Sequence, residues 1–354
     1  MENLKKLKKF WKGKRVFITG HTGFKGSWLT IFLNLLGAKI YGYSLKPDKV
    51  SLFKKANCQK IVKKNFFCNI KDKKKLEKAL KQSKPEVIFH FAAQALVKTS
   101  YEKPYDTFST NILGTLNILS LSQNLKNLKS VIISTTDKVY KRSDKNKIFN
   151  EKDELGGNDP YSASKVCKEF IISSYIKSLF EKNRTKFNVS SVRSGNVIGG
   201  GDYSRYRLIP DILNSLNKSS VLNLRNPNHI RPWQYVIEPL FGYLLLSQLH
   251  YKNKYKFGYA WNFGPNKNNF LKVIDIVKII KRKRNIKYKV KRIKNLKEDE
   301  ILKLSNIKSI RHLNWRPKYN LNKTIDNVIE WDEVSKNQSS KGICEKQILR
   351  YLET

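Results

Sequence analysis

Cysteine is scarce and its spacing is unproductive. The 354-residue chain holds four, Cys58, Cys68, Cys167 and Cys344. None stands close enough to another to suggest a zinc knuckle, a redox dithiol or a disulfide scaffold. No metal site is expected, and reduced thiols fit a cytoplasmic setting. Long apolar runs are also missing. The richest stretch, YVIEPLFGYLLLSQLHY, is interrupted by Glu238, Pro239 and Gln248. It falls short of the ~18 residues of a membrane span and reads as a buried helix. The N-terminus MENLKKLKKFWKGKR lacks the apolar core of a signal peptide. Its Leu4, Leu7, Phe10 and Trp11 suggest a short amphipathic helix packed on a domain edge, with no membrane partner.

Acidic residues are few: 28 against 71 lysines and arginines, for a net charge of +43. Such an excess can attract nucleic acid or anionic surfaces. Here the basic residues lie in every segment among many Asn and Ile, and no nucleic-acid motif accompanies them. They read as a lysine-heavy solvated surface set by base composition, with no nucleic-acid partner. With 40% hydrophobic and 12% aromatic residues, the chain can bury a sizeable core.

What is present alternates. Arg15–Gly20, Lys39–Leu45, Glu86–Phe91 and Ser130–Thr135 are short apolar runs. Between them lie helix-like stretches at Phe24–Leu36, Asp72–Gln82 and Asp106–Leu125. A further helix is expected from Tyr161 to about Phe180, and a strand at Asn188–Arg193. This order predicts an α/β fold: a doubly wound parallel sheet of the Rossmann type covered on both faces. From about residue 200 the order loosens, with helices at Tyr206–Asn217 and Pro239–His250 between loops. Residues 1–195 are expected to form mainly the dinucleotide-binding domain, with the catalytic residues. Residues 196–335 should form mainly a smaller, partly irregular substrate lobe, the chain interleaving, and 336–354 a C-terminal tail. The run KRKRNIKYKVKRIKNLKEDE reads as a surface strand and loop.

GHTGFKG follows the first strand and opens the first helix. Gly20, Gly23 and Gly26 allow a tight turn, and a helix N-terminus offers free N–H groups to a pyrophosphate. Thr22 and Phe24 lie within the same turn. Asn69 and Ile70 follow the third strand, with Asn69 placed to touch an adenine. Ala92, Ala93 and Gln94 end the fourth strand, where a dinucleotide would pass. The acid expected about 20 residues on, to hold a ribose, is absent. The second strand ends in Ser44-Leu45-Lys46, so this rule leaves NAD and NADP open.

The chemistry concentrates between Ile132 and Lys165. Tyr161 and Lys165 are four apart and share a helix face. An ammonium beside a phenol favours phenolate and makes a base. Thr136, Asp137 and Lys138 add a hydroxyl, a carboxyl and an amine at the carboxyl end of a strand, where parallel sheets bind ligands. One half of this set can oxidise an alcohol, and the other can do acid–base work beside it. Together they suggest a redox-assisted elimination. A 4-epimerase needs the Tyr–Lys pair and a hydroxyl, but no acid at Asp137 and no base at Lys138. An inverting dehydratase also uses an Asp–Lys pair, but closer in sequence to its tyrosine than the 24 residues found here. A basic binding protein on an old enzyme fold is a third alternative.

The ordered motifs FWKGKRVFITGHTGFKGSWL, HFAAQ, STTDKVY, YSASK, RSGNVIGGGD, RLIPD and RPWQYV resemble the CDP-glucose 4,6-dehydratases of the extended short-chain dehydrogenase/reductase superfamily. The resemblance runs from about Phe10 to the early 330s. It implies bound NAD, CDP-glucose as substrate and CDP-4-keto-6-deoxyglucose as product. It implies Tyr161 as the base at the C4 hydroxyl, with Lys165 also bonding the nicotinamide ribose. Thr136 would hold the substrate hydroxyl, Asp137 would be the acid at C6, and Lys138 the candidate base at C5. It implies Arg231 on the diphosphate, Asn196 on diphosphate or sugar, Arg207, Leu208 and Ile209 along the cytosine, and Glu298 in the nucleotide pocket. Relatives more often carry Asp at position 69. The family makes deoxysugars for surface polysaccharide and pairs two helices into a four-helix dimer. The apolar helices Asp106–Leu125 and Ser162–Phe180 therefore predict a homodimer or higher homo-oligomer.

Overall fold

The computed structural model describes residues 2–142, 146–182, 185–252, 258–290 and 300–354. In chain order the strands are β1 (Arg15–Thr19), β2 (Lys39–Ser44), β3 (Lys64–Phe67), β4 (Val87–His90), β5 (Ser130–Ser134) and β6 (Asn188–Ser194). They continue with β7 (Asn196–Ile198), β8 (Leu222–Leu224), β9 (Ile230–Tyr235), β10 (Ala260–Phe263), β11 (Phe270–Lys272) and β12 (Tyr288–Val290).

β1, β4 and β5 are short, mostly apolar and buried, which suits interior parallel strands; β6, NVSSVRS, is buried throughout although mostly polar. The main sheet runs β10-β6-β5-β4-β1-β2-β3, and every pairing is parallel. Strand order reverses between β1 and β4, so a crevice opens beyond their carboxyl ends. The helices Phe24–Leu35, Lys73–Ser83, Pro104–Ser122 and Pro160–Ser174 are the crossovers. The last continues into a π-helical turn, Tyr175–Phe180.

Two details of domain organisation come from later in the chain. β10, the seventh strand, lies at residues 260–263, and the Ile237–Lys252 helix packs on β5 and β6. Residues beyond 195 thus complete the first layer. Segment 336–354, expected as a tail, carries the helix Ser340–Glu353. Its Ile343, Cys344, Ile348, Tyr351 and Leu352 join the core with Trp28 and Trp11. Burial of the aliphatic members contributes about 1.5–3 kcal/mol each. The sequence hides this because Gln347 sits on the buried face, where it bonds the backbone carbonyl of Asn327 and the hydroxyl of Tyr235. The N-terminal helix Glu2–Trp11 packs on the same core through Leu7 and Trp11.

The smaller lobe combines the three-stranded sheet β11-β9-β7, the β12-β8 pair and the helices Leu208–Asn217, Val273–Lys281 and Leu321–Asn337. It sits over the carboxyl ends of the main strands. Much of the lysine-rich run lies outside the described residues; its described part includes β12. No helix among the described residues is long and apolar enough to cross a membrane.

Candidate active site

A cleft of about 320 Å³ lies between the sheet's carboxyl edge and the smaller lobe. The glycine turn lies beside it and leads into Phe24 and Lys25, which line it. Gly20 adopts φ +76°, and a Cβ there would stand 2.7 Å from the Ala92 nitrogen. A Cβ on Gly26 would reach 2.1 Å from the Gly20 carbonyl oxygen. Only glycine lets the turn close this tightly and bring backbone N–H groups to a ligand. Thr22 fixes the turn to β2 by hydrogen bonds with the Ser44 hydroxyl (2.8 Å) and the Leu45 carbonyl (3.2 Å). Phe24 and Ala93 line the cleft.

Other residues expected at the cofactor are occupied elsewhere. The Asn69 side chain accepts from the Lys71 N–H at 3.0 Å. Ile70 is buried in the core against Gly114. The Gln94 amide donates to Thr107 Oγ1 (2.9 Å) and the Leu96 carbonyl (3.0 Å), shaping the loop after β4. The Ala92 N–H donates to Thr19 Oγ1 at 3.2 Å.

β5 delivers the chemistry. Thr136 caps a short 3-10 turn, Asp137–Val139. Its hydroxyl donates to Asp137 Oδ1 at 3.0 Å and bonds the Tyr161 phenol. Asp137 is buried, and its Oδ2 has no hydrogen-bond partner. Burial raises its pKa, against the lowering influence of Lys138, Arg142, Thr136 and Arg231. Burial thus shifts the carboxyl toward holding its proton, the direction a proton donor needs. Lys138 is half-buried and faces the same cleft.

Tyr161 and Lys165 start the Pro160–Ser174 helix. Asp159 caps it, accepting from the Tyr161 and Ser162 N–H groups. The Lys165 ammonium lies 5.6 Å from the Tyr161 ring centroid. The electrostatics differ from the expectation of a cation-lowered phenol. Burial pushes the Tyr161 pKa up to about 12, opposed by the Thr136 hydrogen bond. Burial, then Lys168 and Lys25, hold Lys165 well below its ordinary value. Each group resists charge because water is excluded and lysines crowd Lys165.

From the smaller lobe, Asn196, Arg207, Leu208, Ile209 and Arg231 all line the cleft. The Arg207 guanidinium pairs with Asp202 at 2.8 Å. Arg231 is buried, donating to the backbone carbonyls of Ile230 and Glu300 and bonding His229. The structure therefore gathers Thr136, Asp137, Lys138, Tyr161, Lys165 and these five in one cleft. Glu298 lies outside the described residues.

Sequence reasoning missed Lys25, which lines the cleft and donates to Ser134 Oγ at 3.3 Å. The available signal was a single charge in the otherwise uncharged helix FKGSWLTIFLNL. It also missed the buried pair beneath the site. Glu169 receives two 2.9 Å bonds from the Arg193 guanidinium and further bonds from Thr135 and Ser191.

A family model described as GDP-mannose 4,6 dehydratase matches residues 17–328. The chain is 39% identical to the CDP-glucose 4,6-dehydratase of Salmonella typhimurium over 96% of each chain. It is 30% identical to a dTDP-D-glucose 4,6-dehydratase of Dictyostelium discoideum over 72% of this chain and 58% of that one. Among solved structures, the dTDP-glucose 4,6-dehydratase of Bacillus anthracis in complex with NAD superposes with a TM-score of 0.74 at 22% identity, covering 94% of this chain and 100% of the other. The UDP-glucose 4-epimerase of Thermus thermophilus, also a complex with NAD, gives 0.75 at 21%, covering 90% and 99%. These two establish the shared fold.

Proposed function

The chain belongs to the GDP-mannose 4,6-dehydratase family, and on that premise we propose that it converts CDP-glucose to CDP-4-keto-6-deoxyglucose in the cytoplasm, with NAD as cofactor. The near-full-length likeness to the Salmonella typhimurium enzyme supports the substrate. The observation that carries the reaction type is Asp137: a buried carboxyl with one unpartnered oxygen, joined through Thr136 to Tyr161. An epimerase has no use for such an acid.

The glycine turn fits a dinucleotide, because its contacts leave no room for a Cβ at Gly20 or Gly26. Gly20, Thr22, Gly23, Phe24, Gly26, Ala92 and Ala93 would hold it, with Tyr161 and Lys165 beside its reactive end. Asn69, Ile70 and Gln94 would act from behind by shaping their loops. Bound NAD would supply the hydride acceptance at C4 and its return to C6.

The chain's own residues handle the protons. Thr136 orients the C4 hydroxyl and Tyr161 accepts its proton. Once C4 is a ketone, the C5 hydrogen is acidic, and Lys138 removes it. Asp137 gives its proton to the C6 hydroxyl, which leaves as water. One proton leaves C5 and one reaches the departing oxygen; when hydride returns to C6, Lys138 gives its proton back to C5, and the proton that Tyr161 took from the C4 hydroxyl restores Asp137, so protons and electrons balance over the cycle without net redox. Arg231 and Asn196 would hold the diphosphate and sugar by charge-assisted hydrogen bonds, with Arg207, Leu208 and Ile209 along the cytosine. Residues 1–195 would thus carry cofactor and catalysis, and 196–335 the nucleotide sugar.

The test is incubation with NAD and CDP-, dTDP-, UDP- or GDP-linked hexoses, read by the alkaline absorbance of a 4-keto-6-deoxy sugar and by mass. Loss of water from CDP-glucose alone is the expected result. A mass-neutral epimer, or no product, overturns the reading.

The same proposal includes a homodimer through the Pro104–Ser122 and Pro160–Ser174 helices. Tyr105, Leu113 and Phe170 on these helices are 81%, 44% and 58% exposed, large apolar side chains that suit an interface. Light scattering at micromolar concentration should give about twice the 41.3 kDa chain mass, and Phe170→Glu should give monomers.

A further inference from the structure

Three lysines meet where the proposed reaction uses one. Lys168 follows Lys165 by one helical turn and Tyr161 by two, so all three share a face of the Pro160–Ser174 helix. Lys168 is wholly buried, and its ammonium donates to the Ser134 carbonyl at 3.1 Å. Lys25 reaches the same residue from the Phe24–Leu35 helix and donates to its hydroxyl at 3.3 Å. Ser134 is thus held at both oxygens by lysines, immediately before Thr135, Thr136 and Asp137.

The carboxylates nearby do not match this charge. Glu169 is taken up by Arg193, Thr135 and Ser191. Burial raises the proton affinity of Asp137, and its charge offsets only part of the positive charge around Lys25. The remaining groups facing the cluster add no negative charge: His90 on β4, Arg193 on β6, and Arg207 from the smaller lobe. Glu169 still favours the charged forms of Lys165 and Lys168, but it is shared with Arg193, and burial with so little counter-charge lowers their hold on the proton.

We propose that Lys25, Lys165 and Lys168 form one proton-accepting cluster, that the anionic nucleotide sugar loads it with protons on binding, and that Lys168 is its positioning residue. Lys168 is sealed from the cleft and acts on Lys165 and Lys25 through its charge and its hold on Ser134. The identity of the anion rests on the CDP-glucose reading; the cluster itself does not. Burial and the neighbouring cations bring Lys25 down to about 8 and Lys168 to about 7, and hold Lys165 lower than usual. An anion in the cleft reverses this and raises proton affinity, so protons are taken up between pH ~7 and the ordinary lysine value of ~10.4. A recharged Lys165 then favours the phenolate of Tyr161. In this way the base is made strong only when substrate is present.

The test is titration calorimetry of the whole protein with CDP at pH 8 in two buffers of different ionisation heat. Wild type should take up on the order of one proton per site, and Lys168→Met half of that or less. Equal heats in both buffers, or an unchanged proton number in Lys168→Met, overturn the proposal. If UDP, dTDP or GDP binds and CDP does not, the substrate reading fails, and the proton count with that nucleotide decides the cluster. If none binds, or if Lys168→Met does not fold, ¹³Cε-lysine resonances of the ligand-free wild type decide it. At least two lysines should titrate a hundredfold or more in proton concentration below the ordinary value. Lysines that all titrate near ~10.4 overturn it.

Discussion

Lys168 and Glu169 are neighbours in sequence and both fully buried, yet their surroundings are opposites. Glu169 faces β6 and receives a paired Arg193 fork, the Thr135 hydroxyl and the Ser191 hydroxyl. Its carboxyl is held below the usual range and Arg193 above its own, by mutual attraction. Lys168 faces the end of β5 and donates to one carbonyl; Glu169 favours its charge, while burial and Lys25 oppose it. The difference separates scaffold from chemistry. A fully partnered buried pair fixes β6, β5 and the helix in register. Asp137, with its unpartnered Oδ2, lines the cleft, where a ligand or a proton transfer can use it.

The comparison can be broken at Asp137. Asp137→Asn keeps the shape and removes the donated proton, so turnover should fall by ~10²–10⁴ while thermal stability is unchanged or slightly raised. Retained dehydration, or a drop of many degrees in Tm, would move Asp137 to the scaffold side. Arg193→Met tests the other side. It strands Glu169 as an unpaired buried charge, and unfolding in urea should show a loss of about 3–5 kcal/mol. A loss below ~1 kcal/mol would mean that the pair carries little of the fold.

The smallest effect is expected at Lys168, and it has a distinctive pH dependence. Its folded pKa, about 7, is lower than in the unfolded chain, so the unfolded state binds more protons. Stability then rises with pH between about 7 and ~10.4. Lys168→Met removes that penalty: it should raise Tm by a few degrees at pH 7, with the gain shrinking as pH approaches ~10. A gain independent of pH, or a loss, would show that the ammonium is not strained by burial.

Legibility in the sequence followed the range of the interactions. Gly20 and Gly26, the β1 run RVFIT, and the Tyr161–Lys165 spacing are local features. Helix period, strand alternation and turn chemistry act over a few residues, so each was readable. Asp137 was readable as an acid, but the direction of its pKa needed the burial that only packing supplies. The expected lowering of the Tyr161 pKa reversed for the same reason: the i,i+4 rule places the ammonium, but not the water or the competing lysines. Lys25 and Lys168 looked like two more members of a lysine-rich chain until folding brought both to Ser134.

The sequence by itself determined the strand–helix alternation, the glycine turn and the order of the proposed catalytic side chains, because these depend on backbone conformation and near-neighbour spacing. Only the tertiary structure decided that β10 closes the sheet, that residues 340–353 complete the core, that Glu169 is paired and Lys168 is not, and which side chains face the cleft. Those outcomes depend on which distant residues exclude water from one another. Burial, more than residue type, sets the protonation of a charged group.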